Sequence, residues 1–202
     1  MTLRQRLASR PFHSLIFTLL IFALALVSKP KFGASTWPYF CLVWVGYVLV
    51  VAGVLGRVYS AFYIAGSKGV MCVQQGPYSI VRNPLYLCSL IGAFGLGLSS
   101  GMVTLAALFV VGFVLYYPSV VAKEEAFLER RFGDQYRSYK RDVARWTPRM
   151  RLWTEPQLVF AKPPQIRGTI RDASLFFLSV PAFALIEQLH RSGIIRSLMT
   201  LP

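Results

Sequence analysis

Residues 83–122 read NPLYLCSLIGAFGLGLSSGMVTLAALFVVGFVLYYPSVVA, 40 consecutive positions without a charged side chain. One membrane-crossing helix needs about 20 apolar residues, so this stretch is long enough for two. The turn-forming run Ser99–Gly101 lies near its middle and predicts a helical hairpin of two spans. Three glycines in the first half are expected to let the hairpin helices approach closely: Gly92, Gly95 and Gly97.

Three further apolar stretches flank the hairpin. One lies between Arg10 and Lys29 and another between Lys31 and Arg57, and each can cross the bilayer. The first has no small-residue cleavage site after it, so we interpret it as a span rather than a signal peptide. The last, residues 173–189, is shorter, and the sequence leaves open whether it spans or lies partly in the interface. The sequence therefore predicts an all-α, polytopic membrane protein with about five transmembrane helices.

The composition agrees with a membrane protein. Of the 202 residues, 55% are hydrophobic and only 15% are charged, against about 25% charged in a soluble domain. The net charge of +14 is also typical of nucleic-acid-binding proteins, but the mean hydropathy of +0.51 favours cationic loops beside anionic headgroups. We therefore expect no nucleic-acid partner. Because the three cysteines form no C-x-x-C pair and the two histidines are far apart, we expect no metal or haem site.

The cations are distributed unevenly along the chain. With five spans, 18 of the 22 Lys and Arg fall on one side, which the positive-inside rule places in the cytoplasm. The polar segments carrying most of them flank the hairpin. This organisation predicts three parts: a two-helix transmembrane region over 1–66, a core of loop, hairpin and cytoplasmic helices over 67–150, and a segment with a last membrane helix over 151–202.

The first polar segment, residues 73–86, reads VQQGPYSIVRNPLY. Gly76 and Pro77 form a turn, and Pro84 suits the first turn of a helix, where exposed backbone N–H groups can meet an anion. The alternative is an interfacial anchor that holds three side chains at the headgroup level: Tyr78, Arg82 and Tyr86.

The second polar segment, residues 123–148, reads KEEAFLERRFGDQYRSYKRDVARWTP. Glu125 shares a helical stripe with Val121 and Leu128, and a carboxylate on a buried stripe needs a partner. Gly133 is expected to end this helix and Asp134 to cap the next one. The next helix is expected to continue to Pro148 with an inward face of four residues: Tyr136, Tyr139, Val143 and Trp146. Four arginines are interpreted as a solvated or lipid-facing surface: Arg130, Arg131, Arg137 and Arg141.

Together the two segments resemble the isoprenylcysteine carboxyl methyltransferase and phospholipid methyltransferase group of membrane enzymes. The pattern of that group is G-x-Y-x-x-x-R-H-P-x-Y, an apolar hairpin, then E-E-x-x-L-x-x-x-F-G-x-x-Y-x-x-Y and a later Pro. It is met at Gly76, Tyr78, Arg82, Pro84, Tyr86, Glu124, Glu125, Leu128, Phe132, Gly133, Tyr136, Tyr139 and Pro148. The histidine of the pattern is Asn83 here, which puts any acid or base role at that position in doubt.

The resemblance implies methyl transfer from S-adenosylmethionine, bound at the cytoplasmic face, to a hydrophobic or lipid-like acceptor that enters from the bilayer. Glu124 or Glu125 is expected to pair with the amino group of the cofactor and Arg82 to face its carboxylate. Aromatic faces for adenine or the sulfonium are expected from Tyr86, Tyr136, Tyr139 or Trp146. The predicted cofactor-binding residues are Gln75, Gly76, Tyr78, Arg82, Asn83, Pro84, Tyr86, Glu124, Glu125, Tyr136 and Tyr139, and no metal is expected.

The acceptor is left open by the sequence. Neither polar segment contains a histidine, so a carboxylate, thiol or phenol fits better than an ammonium that must lose a proton, and an amine is the further alternative. Arg145 or Arg149 is expected to orient an anionic acceptor, and Glu125 and Arg145 are the predicted catalytic residues. Two other functions fit the sequence: an NADPH-dependent membrane reductase of the sterol-reductase type, and a non-enzymatic membrane scaffold with structural Glu–Arg pairs.

Overall fold

The computed structural model describes residues 16–33, 35–67, 70–159 and 161–202. Within these ranges the chain is mostly helical. The long apolar helices are α1 (Ile16–Val27), α2 (Trp37–Ile64), α4 (Pro84–Ser99), α5 (Val103–Phe132) and α7 (Pro163–Arg191). The short elements are strand β1 (Ser28–Pro30), helix α3 (Pro77–Ile80), helix α6 (Asp134–Asp142), a 3₁₀ turn (Met150–Leu152) and strand β2 (Met199–Leu201).

Helices α4 and α5 form the predicted hairpin. The turn between them contains Gly101 at φ +75°, a left-handed conformation that L side chains rarely adopt. At this end of the hairpin Gly97 packs directly on Ala106, and a Cβ on Gly97 would lie 2.9 Å from the Ala106 Cβ. A small residue at position 97 therefore allows the two helices to meet beside the turn.

The expectation that Gly92 and Gly95 serve the hairpin contact is wrong, because both face other helices. A Cβ on Gly95 would lie 2.7 Å from the carbonyl oxygen of Gly46 in α2, and a Cβ on Gly53 of α2 would lie 2.6 Å from the Gly92 Cα. Residues three apart on a helix share a face, whereas Gly97 lies on a different one. Gly92 and Gly95 therefore allow a close backbone approach between α2 and α4.

Five apolar helices share one core. Buried side chains come from α1 (Ile21, Ala25), α2 (Val50, Val54), α4 (Leu96), α5 (Leu105, Phe109) and α7 (Ala173, Phe183, Ile186). The ring of Phe22 stacks on Phe183 at 4.4 Å between centroids, which joins α1 to α7. Many large apolar side chains instead point outward, among them Trp44, Val48, Leu55, Leu115 and Leu178. An apolar exterior of this kind suits lipid surroundings.

Within the described residues, three helices are long and apolar enough to cross a membrane: α2, α5 and α7. Helices α1 and α4 are apolar but shorter, and the first predicted span begins in residues outside the described ranges. Helix α2 continues past Arg57, the predicted limit of the second apolar stretch, to Ile64. Helix α7 begins at Pro163, ten residues before the last apolar stretch, and passes Pro181 without ending.

The two short strands depart from the all-α prediction. They pair in parallel, with Ser28 opposite Met199, next to the hairpin turn. The main-chain N–H and the side-chain hydroxyl of Thr104 both donate to the carbonyl oxygen of Pro202. The C-terminal strand therefore closes the end of the helix bundle opposite to the two polar segments.

Candidate functional site

The two polar segments lie against each other, although they are far apart in sequence. Residues 144–154 run alongside residues 76–82 and are joined to them by main-chain hydrogen bonds. These run from Gly76 N to Thr154 O at 2.7 Å, from Arg149 N to Ile80 O at 2.9 Å and from Arg82 N to Ala144 O at 2.9 Å. The hairpin α4–α5 brings both segments to one end of the bundle.

This pairing corrects two predictions about the second polar segment. Helix α6 ends at Asp142 rather than near Pro148, because Ala144 accepts a main-chain hydrogen bond from Arg82 of the first polar segment, and Trp146 therefore lies beyond the helix. Gly133 does end α5, at φ +54°, but it also occupies the N-cap of α6. Asp134 is the first residue of α6 and accepts a hydrogen bond from Arg137 at 2.6 Å instead of capping the helix.

Glu125 is the centre of the site. Its side chain is 2% exposed, as the stripe on α5 predicts, and its oxygens accept four hydrogen bonds. Arg145 Nη2 donates to Oε2 at 2.6 Å and Arg145 Nε to Oε1 at 3.2 Å. Asn83 Nδ2 donates to Oε1, also at 3.2 Å. The Asn83 side chain, which precedes α4, therefore orients the carboxylate as a neutral donor.

Arg82 is the second cation at this carboxylate. Its Nε lies 3.2 Å from Glu125 Oε1, and its side chain is only 9% exposed. The Nε–H is not aligned with that oxygen, and it has no hydrogen-bond partner among the described residues. Nη1 donates to the carbonyl oxygen of Lys140 at 2.6 Å, which fixes the guanidinium. An unpaired buried donor is costly unless a further acceptor meets it.

The cluster of Glu125, Arg82 and Arg145 has one negative and two positive charges. The hydrogen bonds to Glu125 are the main cause of a raised pKa for Arg145. About a third of the Arg145 side chain is exposed, at 35%, so part of its guanidinium faces outward. The cluster as a whole attracts an anion.

Glu124 lies beside this cluster and belongs to a second group. Tyr86 donates a hydrogen bond to its Oε2 at 2.7 Å. The Tyr86 ring begins a row of aromatic contacts that joins α4 and α5 to residues 144–154. Its members are Tyr86 against Tyr117 at 5.5 Å, Tyr117 stacked on Phe113 at 4.4 Å, and Phe113 edge-on to Trp146 at 5.9 Å between centroids.

The other predicted tyrosines are buried beneath the site. Tyr136 and Tyr139 pack with Val143 in a small core under α6, and the Tyr139 hydroxyl donates to the carbonyl oxygen of Tyr78 at 2.7 Å. Burial is the main cause of raised pKa values for Tyr78, Tyr136 and Tyr139. These three phenols are therefore protonated at neutral pH, and their packing favours a supporting role.

The remaining predicted residues shape the backbone. Gly76 has φ +59°, and a Cβ there would collide with the ring of Tyr63. Pro84 is the first residue of α4, and Gln75 is exposed, with its carbonyl oxygen accepting from Tyr78 N at 3.3 Å. Arg149 is exposed and contributes a main-chain hydrogen bond to Ile80.

Sequence reasoning missed Arg57. It was taken as the end of a span, yet the apolar pattern continues past it to Ile64, which was the available signal. In the structure its guanidinium donates to the hydroxyl of Ser89 on α4. Arg57 therefore lies on the flank of the α2–α4 contact rather than in a loop.

Known proteins resemble the chain over much of its length. Residues 39–135 match the sequence profile described as phospholipid methyltransferase. A nickel-cobalt-cadmium resistance protein of Alcaligenes xylosoxydans xylosoxydans is 32% identical over 157 residues, covering 78% of this chain and 73% of that protein. A cobalt-zinc-cadmium resistance protein of Cupriavidus metallidurans is 32% identical over 178 residues, covering 84% and 80%. No solved structure shows significant similarity.

Proposed function

The chain belongs to the phospholipid methyltransferase family, and we propose that it is a membrane methyltransferase that uses S-adenosylmethionine and acts on a hydrophobic or lipid-like acceptor. One observation supports this above the others. The buried Glu125 joins Arg82 and Asn83 of the first polar segment to Arg145 of the second, so that both halves of the sequence pattern meet at one carboxylate.

The residues present fit the proposed cofactor. When bound, S-adenosylmethionine supplies a methyl group on a sulfonium sulfur, and the acceptor displaces that sulfur from the methyl carbon in one step. The cofactor also carries a carboxylate, an amino group and a flat adenine. The unpaired Nε–H of Arg82 and the exposed part of Arg145 are donors for the carboxylate. Glu124 is an acceptor for the amino group, and the aromatic row offers faces for adenine or the sulfonium.

Between the two candidate carboxylates, the geometry favours Glu124 as the one that meets the cofactor. Glu125 already accepts four hydrogen bonds and is almost fully buried. We therefore assign Glu125 a positioning role: it holds the two arginines in the orientation that leaves donors available. Glu124 hydrogen-bonds through one oxygen to Tyr86, which fixes its direction.

In methyl transfer the protein binds the cofactor and the acceptor, orients them and excludes water. The buried tyrosines are poor bases at neutral pH, since burial raises their pKa values. Asn83 does not titrate. These properties support an acceptor that arrives anionic or is easily deprotonated, such as a carboxylate, thiol or phenol, over an ammonium group.

We further propose that all five apolar helices cross the membrane and that the site faces the cytoplasm. The lengths of α2, α5 and α7 support this arrangement, as does the concentration of cations in the segments around the site. The acceptor then approaches laterally from the bilayer, with its apolar tail left in lipid.

Titration calorimetry of the detergent-purified protein tests the cofactor. We expect S-adenosylmethionine and its demethylated product to bind and NADPH not to bind. Glu124→Gln should weaken S-adenosylmethionine binding by about 1.5 to 3 kcal/mol, the contribution of a charge-assisted hydrogen bond. Glu129→Gln, on the exposed side of the same helix, is the matched control and should bind normally. NADPH binding alone would support the reductase, and no binding of either cofactor would support the scaffold.

The two relatives suggest a physiological setting. Both are named for resistance to cobalt and cadmium, and each is 32% identical to this chain. We propose that methylation by this protein contributes to tolerance of these metals. A metal-sensitive host that expresses the wild type should grow at higher cobalt concentrations than one that expresses Glu124→Gln at the same level. Equal growth would show that methylation by this protein does not contribute to metal tolerance.

A further inference from the structure

Arg57 is a cation on an apolar helix, and the hydrogen-bond acceptor of its guanidinium is a neutral hydroxyl. Its guanidinium donates to the Ser89 hydroxyl, and among the described residues no carboxylate lies within ion-pairing distance of it. It lies beside a narrow crevice lined by residues of α2, α4 and α7, among them Gly53, Gly92 and Phe176. A cation without a counter-charge among the described residues attracts an anionic group.

The position of Arg57 along α2 coincides with the level of lipid headgroups. Trp37, which is 78% exposed, begins α2 and suits one membrane interface. Arg57 follows it by 20 residues, a helical length of roughly 30 Å, which is the thickness of the hydrocarbon core. Arg57 therefore lies at the opposite interface, on the side of the bundle that carries the Glu125 cluster.

One face of α4 connects Arg57 to that cluster. Asn83, Tyr86 and Ser89 follow each other at intervals of three residues, so they form a polar stripe with a rise of about 4.5 Å per step. Asn83 is bonded to Glu125, Tyr86 to Glu124 and Ser89 to Arg57. The stripe is thus bonded to two carboxylates at its outer end and to one cation at its membrane end.

We propose that Arg57 binds an anionic group of the acceptor, a phosphate or a carboxylate, located on the membrane side of the atom that is methylated. This inference rests on the proposed function. An anion at Arg57 lies about one step of the stripe, roughly 4.5 Å, from the level of the Tyr86–Glu124 pair. A group two or three bonds farther out on the same molecule then reaches that pair, while the tail extends into lipid. Arg57 is a specificity-determining residue for the acceptor, a role the sequence assigned to Arg145 or Arg149.

Binding of simple amphiphiles tests this role without knowledge of the natural acceptor. The probes are dodecyl phosphate, dodecanoate and, as the neutral reference, dodecanol, titrated into the protein in a neutral detergent. We expect at least one anionic probe to bind the wild type more tightly than dodecanol does and to inhibit methyl transfer competitively with the acceptor. Arg57→Gln should weaken that probe about tenfold or more, whereas Arg57→Lys should retain most of the affinity.

Two control variants separate anion binding from packing and from general surface charge. Ser89→Ala removes the hydroxyl bonded to Arg57 but keeps the cation, so it should bind the probe like the wild type. Arg130→Gln removes an exposed cation of α5 and should also have no effect. The affinity for S-adenosylmethionine reports the integrity of each variant, and Arg57→Met replaces Arg57→Gln if the latter loses it. Normal cofactor affinity with probe binding independent of Arg57 overturns this inference alone, whereas a wild type that does not bind S-adenosylmethionine overturns the proposed function.

Discussion

Replacing Glu125 with glutamine should chiefly lower the stability of the folded protein. The carboxylate is 2% exposed and is the negative partner of Arg82 and Arg145. The neutral amide leaves Arg82, whose side chain is 9% exposed, without a counter-charge. Removing one partner of a buried ion pair typically costs about 3 to 5 kcal/mol, because the other charge stays buried and unpaired. We expect a loss of this size for Glu125→Gln.

The measurement is thermal unfolding of the purified protein in detergent. At about 2 to 4 °C for each kcal/mol in a chain of this length, the midpoint should fall by about 6 to 20 °C. Glu129→Gln is the matched control, since Glu129 lies one turn along the same helix and pairs with Lys140 and Arg137 at the surface. Its midpoint should change little, because exposed ion pairs contribute little to stability.

A double variant makes the argument sharper. Arg82→Gln combined with Glu125→Gln removes the buried cation together with its counter-charge, so the double variant should be more stable than Glu125→Gln alone. The reasoning is refuted if Glu125→Gln unfolds at the same temperature as the wild type, or if the double variant loses the sum of both single effects.

Three further outcomes follow from the structure. Gly95→Ala places a methyl group 2.7 Å from the carbonyl oxygen of Gly46 and should destabilise the α2–α4 contact by about 1 to 3 kcal/mol in the same unfolding assay, whereas Gly168→Ala, which meets nothing within 4 Å, should be neutral or stabilising. A cysteine introduced within residues 123–159 of a cysteine-free variant should be labelled by a membrane-impermeant maleimide only from the cytoplasmic side and one at Ser35 only from outside, and the reverse pattern would contradict the proposed topology. Lengthening the apolar tail of an acceptor should lower its KM with little change in the maximal rate, and equal KM values for short and long tails would indicate a site open to water.

The sequence predicted the hairpin and the buried carboxylate because both depend on local patterns. A 40-residue uncharged run with a turn in its middle allows few other arrangements, and Glu125 shares the helical spacing of Val121, which is fully buried. The need of Glu125 for a partner was also foreseeable, since buried carboxylates are paired. The sequence placed both Arg82 and Arg145 among the candidate residues.

The sequence did not predict which groups bond to each other, because those contacts depend on the path of the chain outside helices. The aromatic spacing up to Trp146 is helical, yet α6 ends at Asp142, where main-chain hydrogen bonds to the first polar segment replace helical ones. Gly92 and Gly95 were assigned to the contact with α5, the next helix in sequence, whereas their neighbours in space lie on α2 and α7. Tertiary packing decided both cases.

The main-chain hydrogen bonds between residues 76–82 and 144–154 also set the order in which the protein becomes functional during synthesis. The first of these segments leaves the ribosome before the hairpin, and its bonding partners follow only after α4 and α5 have been made. Arg82 meets the carboxylate of Glu125 only once α5 has been made, and Gly76 meets Thr154 later still. A nascent chain that contains both hairpin helices but has not reached residue 154 therefore has no complete site. The site is therefore completed only after residues 144–154 have been made, and helix α7, which supplies part of the shared core, is made later still.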